Sequence, residues 1–507
     1  MGRMRVAVIG AGISGVAAAR VLAGSGHAVV VFEAHREVGG VWARTYPGTR
    51  LQNVAEQYRL GDFPWPQPPD LHPTREQITR YIAAAIRRFR LDVRCEHRVL
   101  AMGEQADGWT LTVATPGGEV SERFNYVVVA SGHYSESLAK VELPGRELFA
   151  GTVVTERELP GLDALAGKRV VIVGFGKSAV DMATFAAVRG SQVHHVFREA
   201  RWLFPRHFFG VHAVTVLFAR ATTAMLPAWV QPNTAQQVLH TTLRPLVDGF
   251  WQVVAAITRY QCGLHGLWRD PAVRRRMLAL VPDTSVPYQM RSALAQAPDE
   301  YYPMVVKGRI EPVRGELAGF YDGGVRLRDG TEIACDMVVA SIGSPPPRFP
   351  FLPDRCRALL EGEPDGAQLY RHILHPRIPR LAFAGFNHGF LHVPGVEVAT
   401  LWLAALLRGD LVLPSIAVME ESIAAVRTWK RQHTLFEPSR ACGVNTRFHQ
   451  YLDVLLADLG LRAHRKTTAL AELVSPYMAD DYAGLIAEYE RVRLTLRLPR
   501  TPLPVAT

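Results

Sequence analysis

Three glycines near the start of the chain have the spacing of a turn that binds the pyrophosphate of a dinucleotide. Gly10, Gly12 and Gly15 follow a short apolar segment that is typical of a buried parallel strand. Gly10 allows a tight turn, Gly12 lets the backbone approach a pyrophosphate, and Gly15 lets the next helix pack on the strand. The start of that helix offers free N–H groups and a positive dipole end to the anion.

An acidic residue completes this first site. A second apolar segment, residues 28–32, is followed by Glu33, eighteen residues after Gly15. A carboxylate at the end of the second strand accepts hydrogen bonds from ribose hydroxyls. Glycines at this spacing are a weak signal alone, but strand, turn, helix, second strand and acid together predict a dinucleotide site.

A second copy of the pattern lies in the middle of the chain. After a predicted strand at residues 168–173, the turn has Gly174, Gly176 and, at the last position, Ala179, with Ser178 just before it. The alanine is an accepted replacement for the third glycine. We therefore predict a second dinucleotide site.

The residue after the second strand of this copy predicts which dinucleotide binds. Arg198 stands twenty-four residues after Gly174, where a site specific for NAD would have an acid. An arginine can pair with a 2′-phosphate, so the site is predicted to prefer NADPH, with Arg201 as a second contributor. Glu199 is a signal against this interpretation, and a solvated surface arginine is the alternative. A hydride donor and a bound acceptor explain two such sites, which indicates a flavoprotein reduced by NADPH.

The composition indicates the class of protein in which these residues are positioned. A chain of 507 residues with 48% hydrophobic and 21% charged residues has the composition of a globular protein of two to four domains. This composition excludes disordered, collagen-like and coiled-coil classes. The net charge is +10, but the basic residues are scattered arginines without basic runs, so no nucleic-acid partner is predicted.

Cysteine spacing and apolar segments indicate the compartment. The five cysteines form no C-x-x-C pair, which argues against a zinc knuckle or a redox-active disulfide and predicts a reducing compartment and no metal site. The apolar residues 6–9 are too short for a signal-peptide core, so a cytoplasmic location is expected. No segment is long enough to span a membrane, and residues 208–230 are interpreted as a helical lid or, alternatively, a helix in a membrane surface.

Further motifs between and after the two sites resemble one enzyme family. They are GGVW at residues 39–42, YPG at 46–48, DFPWP at 62–66, LHPTRE at 71–76, VVVASGHY at 127–134, DMVVASIG at 336–343, LAFAG at 381–385, and Glu397. Together they resemble class B flavin-dependent monooxygenases, which comprise the flavin-containing monooxygenases and their Baeyer–Villiger relatives. The resemblance covers about residues 6–460; each motif is modest, and the set is specific.

The resemblance implies cofactors and site residues. It implies FAD at the first site and NADPH at the second, with further cofactor contacts from Gly40, Val41, Trp42, Gly132, Gly343 and Gly385. Asn53 matches an asparagine that contacts nicotinamide and flavin, with Gln52 as the second candidate and a plain turn residue as the alternative. Asp62 is the other catalytic candidate; it would tune the flavin or orient an arginine, unless it only caps a turn.

One family fingerprint is incomplete. The family has F-x-G-x-x-x-H before the second glycine turn, whereas here Phe149 and Gly151 are followed by Thr155 and Glu156. In the family that histidine lies at the hinge between the nucleotide domains and helps to coordinate hydride transfer with oxygen activation. The coupling of the two half-reactions is therefore the property that this departure puts in question.

The order of the motifs predicts an α/β fold of two doubly wound, Rossmann-like domains, with the NADPH domain inserted in the FAD domain. We expect residues 1–155 and 331–507 to form the FAD domain with C-terminal helices, residues 156–330 to form the NADPH domain, helices on both faces of each sheet, and hinges near Gly151 and Gly330. Aromatic residues recur at helical spacing in a predicted helical insertion at about 202–300. They are interpreted as core or, alternatively, as a tunnel for a bulky apolar substrate.

The function implied by the resemblance is a monooxygenase. NADPH would reduce FAD, and the reduced flavin would react with O₂ to give a C4a-(hydro)peroxide that oxygenates a nitrogen, sulfur or ketone centre of an apolar small molecule. The alternative is a reductase or NADPH oxidase that does not stabilise this intermediate. A peripheral membrane contact and the oligomeric state are left open by the sequence.

Overall fold

The structure is a computed structural model that describes residues 3–133, 140, 142–290, 295–435, 443–444 and 446–495. Its strands are Arg5–Ile9, Ala28–Phe32, Asp92–Arg94, Arg98–Gln105, Gly108–Thr115, Gly118–Phe124, Tyr126–Val129, Thr152–Thr155, Arg169–Val173, Gln192–Phe197, Leu203–Phe204, His207–Phe208, Val211–His212, Ala295–Gln296, Ile310–Arg314, Leu317–Tyr321, Gly324–Leu327, Glu332–Ala334, Met337–Ala340 and Leu381–Phe383. Its α-helices are Ile13–Gly24, Val41–Arg44, Arg75–Phe89, Lys177–Val188, Ala213–Leu217, Arg220–Ala224, Thr234–His240, Arg244–Gln261, Pro271–Ala279, Val286–Gln289, Tyr301–Val306, Asp354–Glu361, His392–Arg408, Ile416–His433, Phe448–Asp458, Ala469–Val474 and Leu485–Thr495.

Two five-stranded parallel sheets organise the chain. In the first sheet the order is Leu381–Phe383, Tyr126–Val129, Arg5–Ile9, Ala28–Phe32, Asp92–Arg94. In the second sheet the order is Ile310–Arg314, Gln192–Phe197, Arg169–Val173, Met337–Ala340, Thr152–Thr155. The inner strands are apolar runs because both of their faces are buried. The last strand of the first sheet follows the whole second sheet in sequence.

Each sheet is covered differently on its two faces. In the first sheet, Val6 and Val8 pack in the cluster that contains the helices, whereas Ala7 and Ile9 pack toward the antiparallel strands Arg98–Gln105, Gly108–Thr115 and Gly118–Phe124. The second sheet repeats this arrangement with the antiparallel strands Leu317–Tyr321, Gly324–Leu327 and Glu332–Ala334. The α/β class with two Rossmann-like domains is confirmed. The antiparallel sheets were not predicted: in the first domain the sheet shares its face with helix Asp354–Glu361, and in the second it takes the place of the expected helices.

The limits of the inserted unit differ from the sequence-based limits of 156 and 330. The first and last strands of the unit in sequence, Thr152–Thr155 and Met337–Ala340, pair with each other in the second sheet. Gly330, with φ near +88°, lies in a hairpin turn between two antiparallel strands and not between domains. A glycine turn inside a domain has the same local signal as a linker. From the strand pairing we propose limits near residues 151 and 341.

The segment at 202–300 packs as part of the core. Trp202, Phe204, Phe218, Trp229 and Trp251 are buried in the same cluster as the helices of the first domain. Within residues 208–230 the chain forms two five-residue helices, Ala213–Leu217 and Arg220–Ala224, and not one long helix. Over the described part of the chain, no helix has the length and apolar character needed to cross a bilayer.

A buried ion pair joins elements far apart in sequence. The Arg20 guanidinium, 9% exposed, contacts the carboxylates of Glu397 and Asp62, and Glu397 is 4% exposed. The other Glu397 oxygen accepts a hydrogen bond from the Gly61 N–H at 2.9 Å. Burial raises the pKa of Glu397, and Arg20 opposes this shift. The pair therefore ties helices Ile13–Gly24 and His392–Arg408 to the loop around Gly61.

Replacing Glu397 with leucine should destabilise the protein by about 3–5 kcal/mol, because it leaves a buried guanidinium with only one, more exposed, partner. The measurement is the thermal unfolding midpoint of the purified variant. The control is Glu332→Gln, which removes the exposed partner of Arg326 and should cost less than about 1 kcal/mol. Equal midpoints for the two variants would contradict this role.

Candidate functional site

One large cavity, which we call the central cavity, connects the two glycine turns and has a volume of about 1370 Å³. It lies at the carboxyl ends of both parallel sheets, which is where such folds bind their ligands. The predicted site residues that line it are Gly10, Gly12, Glu33, Gly40, Val41, Trp42, Gln52, Asn53, Gly132, Gly174, Gly176, Ser178, Arg198, Arg201, Gly343 and Gly385.

The first turn packs so closely that only glycine fits at two positions. A Cβ at Gly10, whose φ is +108°, would lie 2.6 Å from the Ala130 carbonyl oxygen. A Cβ at Gly15 would lie 1.9 Å from the Gly10 carbonyl oxygen. At Gly12 the nearest atom would be the Cα of Gly40 at 3.5 Å, an ordinary contact. Gly12 therefore leaves space in the cavity, while Gly15 lies outside the lining and serves helix packing.

The carboxylate of Glu33 is fixed at the end of its strand. One oxygen accepts a hydrogen bond from the Ala11 N–H at 2.8 Å, and the other accepts one from the His35 N–H at 3.1 Å. Glu33 is buried and lines the central cavity. The remaining lone pairs of a carboxylate held in this way can accept hydrogen bonds from two ribose hydroxyls.

Close packing also defines the wall opposite the first turn. A Cβ at Gly385, with φ of +85°, would lie 2.5 Å from the Ser14 hydroxyl oxygen. Ser14 Oγ and His392 Nε2 are 2.8 Å apart, and burial lowers the pKa of His392 to about 4. His392 is therefore a neutral imidazole at the start of helix His392–Arg408 that faces the cavity. No motif in the sequence identified it.

Asn53 is anchored at the cavity wall. Its side-chain Nδ2 donates to the Phe390 carbonyl oxygen at 2.6 Å and to Gln57 Oε1 at 3.3 Å. The backbone carbonyl oxygen of Asn53 is 3.1 Å from His72 Nδ1. The side-chain amide is thus held in one orientation, beside apolar lining from Leu51 and Phe390. Gln52 lines the cavity as well, so the geometry leaves both predicted candidates in place.

Asp62 is not where a catalytic residue would be. It lies outside the lining of the central cavity, contacts Arg20, and accepts a hydrogen bond from the Gly484 N–H at 2.5 Å. Of the roles considered from the sequence, the geometry agrees with orienting an arginine. We therefore propose that Asp62 is a structural ion-pair partner of Arg20 and not a catalytic residue.

The second turn repeats the geometry of the first. A Cβ at Gly174, with φ of +118°, would lie 2.3 Å from the Ser341 carbonyl oxygen, whereas one at Gly176 would have no atom of the described residues within 4 Å. Gly176 precedes helix Lys177–Val188 and opens toward the cavity. Ala179 is fully buried and lies outside the lining, which is the packing role of the third position.

Basic side chains follow the second strand of this domain. Arg198 and Glu199 are both exposed and both line the cavity, and Arg201 lines it from a partly buried position. Arg198 and Arg201 thus lie on the cavity wall, where the prediction of a 2′-phosphate contact needs them to be. The geometry also keeps the carboxylate of Glu199 next to that position.

A hydrogen bond links the two domains across the cavity. The Tyr46 hydroxyl, on the first domain, donates to Asp181 Oδ2 at 2.8 Å on helix Lys177–Val188 of the second. Asp181 also forms an ion pair with Lys177. Tyr46 belongs to a motif recognised in the sequence, but its partner lies 135 residues away and has no local signal.

The incomplete fingerprint ends in two buried polar residues, Thr155 and Glu156. Thr155 is 4% exposed; its N–H and its hydroxyl both donate to Glu158 Oε2, at 2.8 and 3.1 Å. The next residue, Glu156, is also buried and lines the central cavity. Sequence reasoning noted Glu156 only as a departure and did not include it among the site residues.

Comparison with known proteins agrees with this geometry. Residues 3–244 match a family model described as FMO-like, flavin-binding monooxygenase-like. A probable flavin-containing monooxygenase from Arabidopsis thaliana is 28% identical over 523 aligned positions, which cover 94% of this chain and 96% of the relative.

Solved structures show the same fold. The open crystal structure of cyclohexanone monooxygenase aligns with a TM-score of 0.67 at 18% identity, covering 91% of this chain and 99% of that chain. An oxidised steroid monooxygenase bound to NADP aligns with a TM-score of 0.64 at 19% identity, with 91% and 99% coverage. The chain is therefore similar to flavin-containing monooxygenases in sequence and shares the fold of class B flavin-dependent monooxygenases, which supports an FAD-dependent enzyme that uses NADPH.

Proposed function

We propose that the protein uses NADPH and O₂ to insert one oxygen atom into a nitrogen, sulfur or ketone centre of an apolar small molecule. The observation that carries this proposal is the single cavity that joins both glycine turns, because a hydride donor and a flavin must meet for the first to reduce the second. FAD held at the first turn would supply the redox chemistry, relaying the two electrons of NADPH to O₂, so that one oxygen atom goes to the substrate and the other, with protons from solvent and NADPH, to water.

The first turn fits FAD. Gly12 leaves room for a pyrophosphate at the start of helix Ile13–Gly24, and the fixed carboxylate of Glu33 suits the ribose. We assign Gly40, Val41, Trp42, Gly132 and Gly385 to the same cofactor as proposals. Trp42 Nε1 donates to the Tyr58 hydroxyl at 2.8 Å, so the indole is held in place at the cavity wall.

The second turn fits NADPH. Gly176 leaves open space at the start of helix Lys177–Val188, with Ser178 and Gly343 on the cavity wall, and Arg198 and Arg201 offer positive charge for a 2′-phosphate. The limits of the two domains, near residues 151 and 341, belong to this proposal. A cytoplasmic location also remains a prediction, based on the cysteine spacing.

The oxygenating end of the cavity is assigned to the wall around Asn53. The side-chain amide of Asn53 has a fixed orientation, Leu51 and Phe390 are apolar, and His392 is neutral. These residues would keep water and charge away from the reacting centre, which favours transfer of oxygen to the substrate over its loss as hydrogen peroxide. A soft nitrogen or sulfur nucleophile needs no acid or base from the protein for this step.

The second candidate is an NADPH oxidase that releases hydrogen peroxide. The observation in its favour is Thr155, which stands where the family has its hinge histidine and whose hydroxyl is bonded within its own segment to Glu158. An NADPH consumption assay that also measures peroxide separates the two functions. Oxygenated product from trial amines, sulfides or ketones indicates the first, and peroxide alone indicates the second.

Gly12→Val should give a folded but colourless protein. The backbone at Gly12 has φ of −73°, which valine adopts without strain, but the branched side chain would fill the space for the pyrophosphate. Flavin absorbance per protein measures the loss. The matched control is Gly103→Val, at an exposed strand position with no atom within 4 Å of the added Cβ; it should stay yellow. Full flavin content in Gly12→Val would contradict the placement of FAD.

Arg198→Ala should raise the KM for NADPH about tenfold or more while changing the KM for NADH little. A charge-assisted hydrogen bond to the 2′-phosphate is worth about 1.5–3 kcal/mol, and NADH has no such phosphate. Steady-state kinetics with both cofactors measure the ratio. Arg326→Ala, at an exposed arginine of the same domain, should change neither value. Equal losses with NADPH and NADH would make Arg198 a structural residue.

The enzyme without substrate should release measurable hydrogen peroxide per NADPH consumed, and Thr155→His should lower that release. The histidine would restore the family residue that keeps the two half-reactions in step. Thr152→His, at the exposed start of the same strand, is the control and should leave the release unchanged. Almost no peroxide from the parent enzyme, together with more from Thr155→His, would contradict this interpretation.

A further inference from the structure

Glu156 is a buried acid inside the proposed NADPH site. It follows strand Thr152–Thr155, whose last residue pairs with Ala340, so Glu156 lies beside Ser341 at the carboxyl edge of the second sheet. Glu156 is 4% exposed, and both residues line the central cavity. Gly174 packs against the Ser341 backbone at the same edge. The acid therefore stands at the glycine turn that we assign to NADPH.

Two buried polar atoms lie close together at this place. Within the described residues, neither Glu156 Oε2 nor Ser341 Oγ makes a hydrogen bond of good geometry, although the Ser341 hydroxyl is near enough to the Glu156 carboxyl to lower its pKa. Ser178, on the first turn of helix Lys177–Val188, is close enough to influence the Glu156 carboxyl. Buried polar groups without a hydrogen bond of good geometry are rare because each costs free energy, so a cavity wall with two of them is suited to a polar ligand.

Burial of Glu156 favours its neutral form. Burial raises the pKa of Glu156, and the nearby Arg157 opposes the shift without cancelling it. Tyr46, from the first domain, interacts electrostatically with Glu156, and Arg44, also from the first domain, interacts with Arg157. Lys177 and Asp181 lie on the helix after the turn. Lys177 is already paired with Asp181, and Tyr46 donates to the same carboxylate, so neither neutralises Glu156.

We propose that Glu156 is a positioning residue that binds the second dinucleotide as a neutral carboxylic acid, so that NADPH binding takes up one proton whenever the empty site holds the carboxylate. The proton comes from solvent, and the acid donates its O–H to an oxygen of the dinucleotide. An ionised Glu156 would instead repel the pyrophosphate at close range. This inference rests on the proposed NADPH site but not on the reaction with O₂.

The sign of the pH dependence follows from this proton. Below the Glu156 pKa the acid is neutral and binding is tightest; above it, each added pH unit should weaken NADP⁺ binding by up to about tenfold. The 2′-phosphate of the ligand loses its second proton near pH 6, which strengthens binding to arginine as the pH rises. The two effects have opposite signs, so a variant at position 156 separates them.

The test is the Kd of NADP⁺ for the oxidised holoenzyme, measured by calorimetry between about pH 6 and pH 9. Glu156→Gln keeps a neutral donor and cannot ionise, so its Kd should match the parent at low pH and should not weaken at high pH. Glu156→Leu should weaken binding at every pH. Glu332→Gln, an exposed acid of the same domain, is the matched control and should keep the pH dependence of the parent.

Proton uptake is also measured without any variant. Titrating the parent holoenzyme with NADP⁺ in two buffers of different ionisation enthalpy gives the number of protons bound, expected to approach one above the Glu156 pKa. No uptake across the pH range, or a Glu156→Gln variant with the same pH dependence as the parent, would overturn the proposal. Loss of oxygenation with normal proton uptake would count against the proposed function and leave this inference standing.

Discussion

Both domains depend on the same close contact between two backbones. The first glycine of each turn lies against a carbonyl at the end of the neighbouring strand: Gly10 against Ala130 and Gly174 against Ser341, with no room for a Cβ. This contact brings each turn next to the segment that follows the neighbouring strand. In these segments Gly132 and Gly343 both adopt positive φ. The edges of the central cavity are therefore fixed by backbone packing, and side chains are left to choose the ligand.

The parts of the site that the sequence predicted are those with local causes. Glu33 and Arg198 follow apolar strands at a fixed distance from glycine turns, and the glycines are required by steric limits that hold in any such fold. The antiparallel sheets were missed although Asp107-Gly108 and Gly117-Gly118 are typical hairpin signals. The expectation of helices on both faces followed from the parallel strands, which carry no information about these hairpins.

The parts that could not be predicted join residues distant in sequence. Arg20 and Glu397 are 377 residues apart, and Tyr46 and Asp181 are 135 apart, so no spacing relates them. Asp62 has the composition of a catalytic carboxylate, yet its partner Arg20 gives it a structural role. His392 and Glu156 have no motif, and only the shape of the cavity brings them into the site.

The order of strands in the two sheets has a consequence for synthesis on the ribosome. The edge strand Leu381–Phe383 of the first sheet is made after every strand of the second, which ends at Ala340. The second domain therefore has its whole sheet available while the first still lacks an edge strand and the helix that carries Glu397. Domains fold as units as they emerge, so the strand Tyr126–Val129 of the nascent first domain has one unpaired edge until Leu381–Phe383 is synthesised. A chain truncated before Leu381 would keep only the second domain intact.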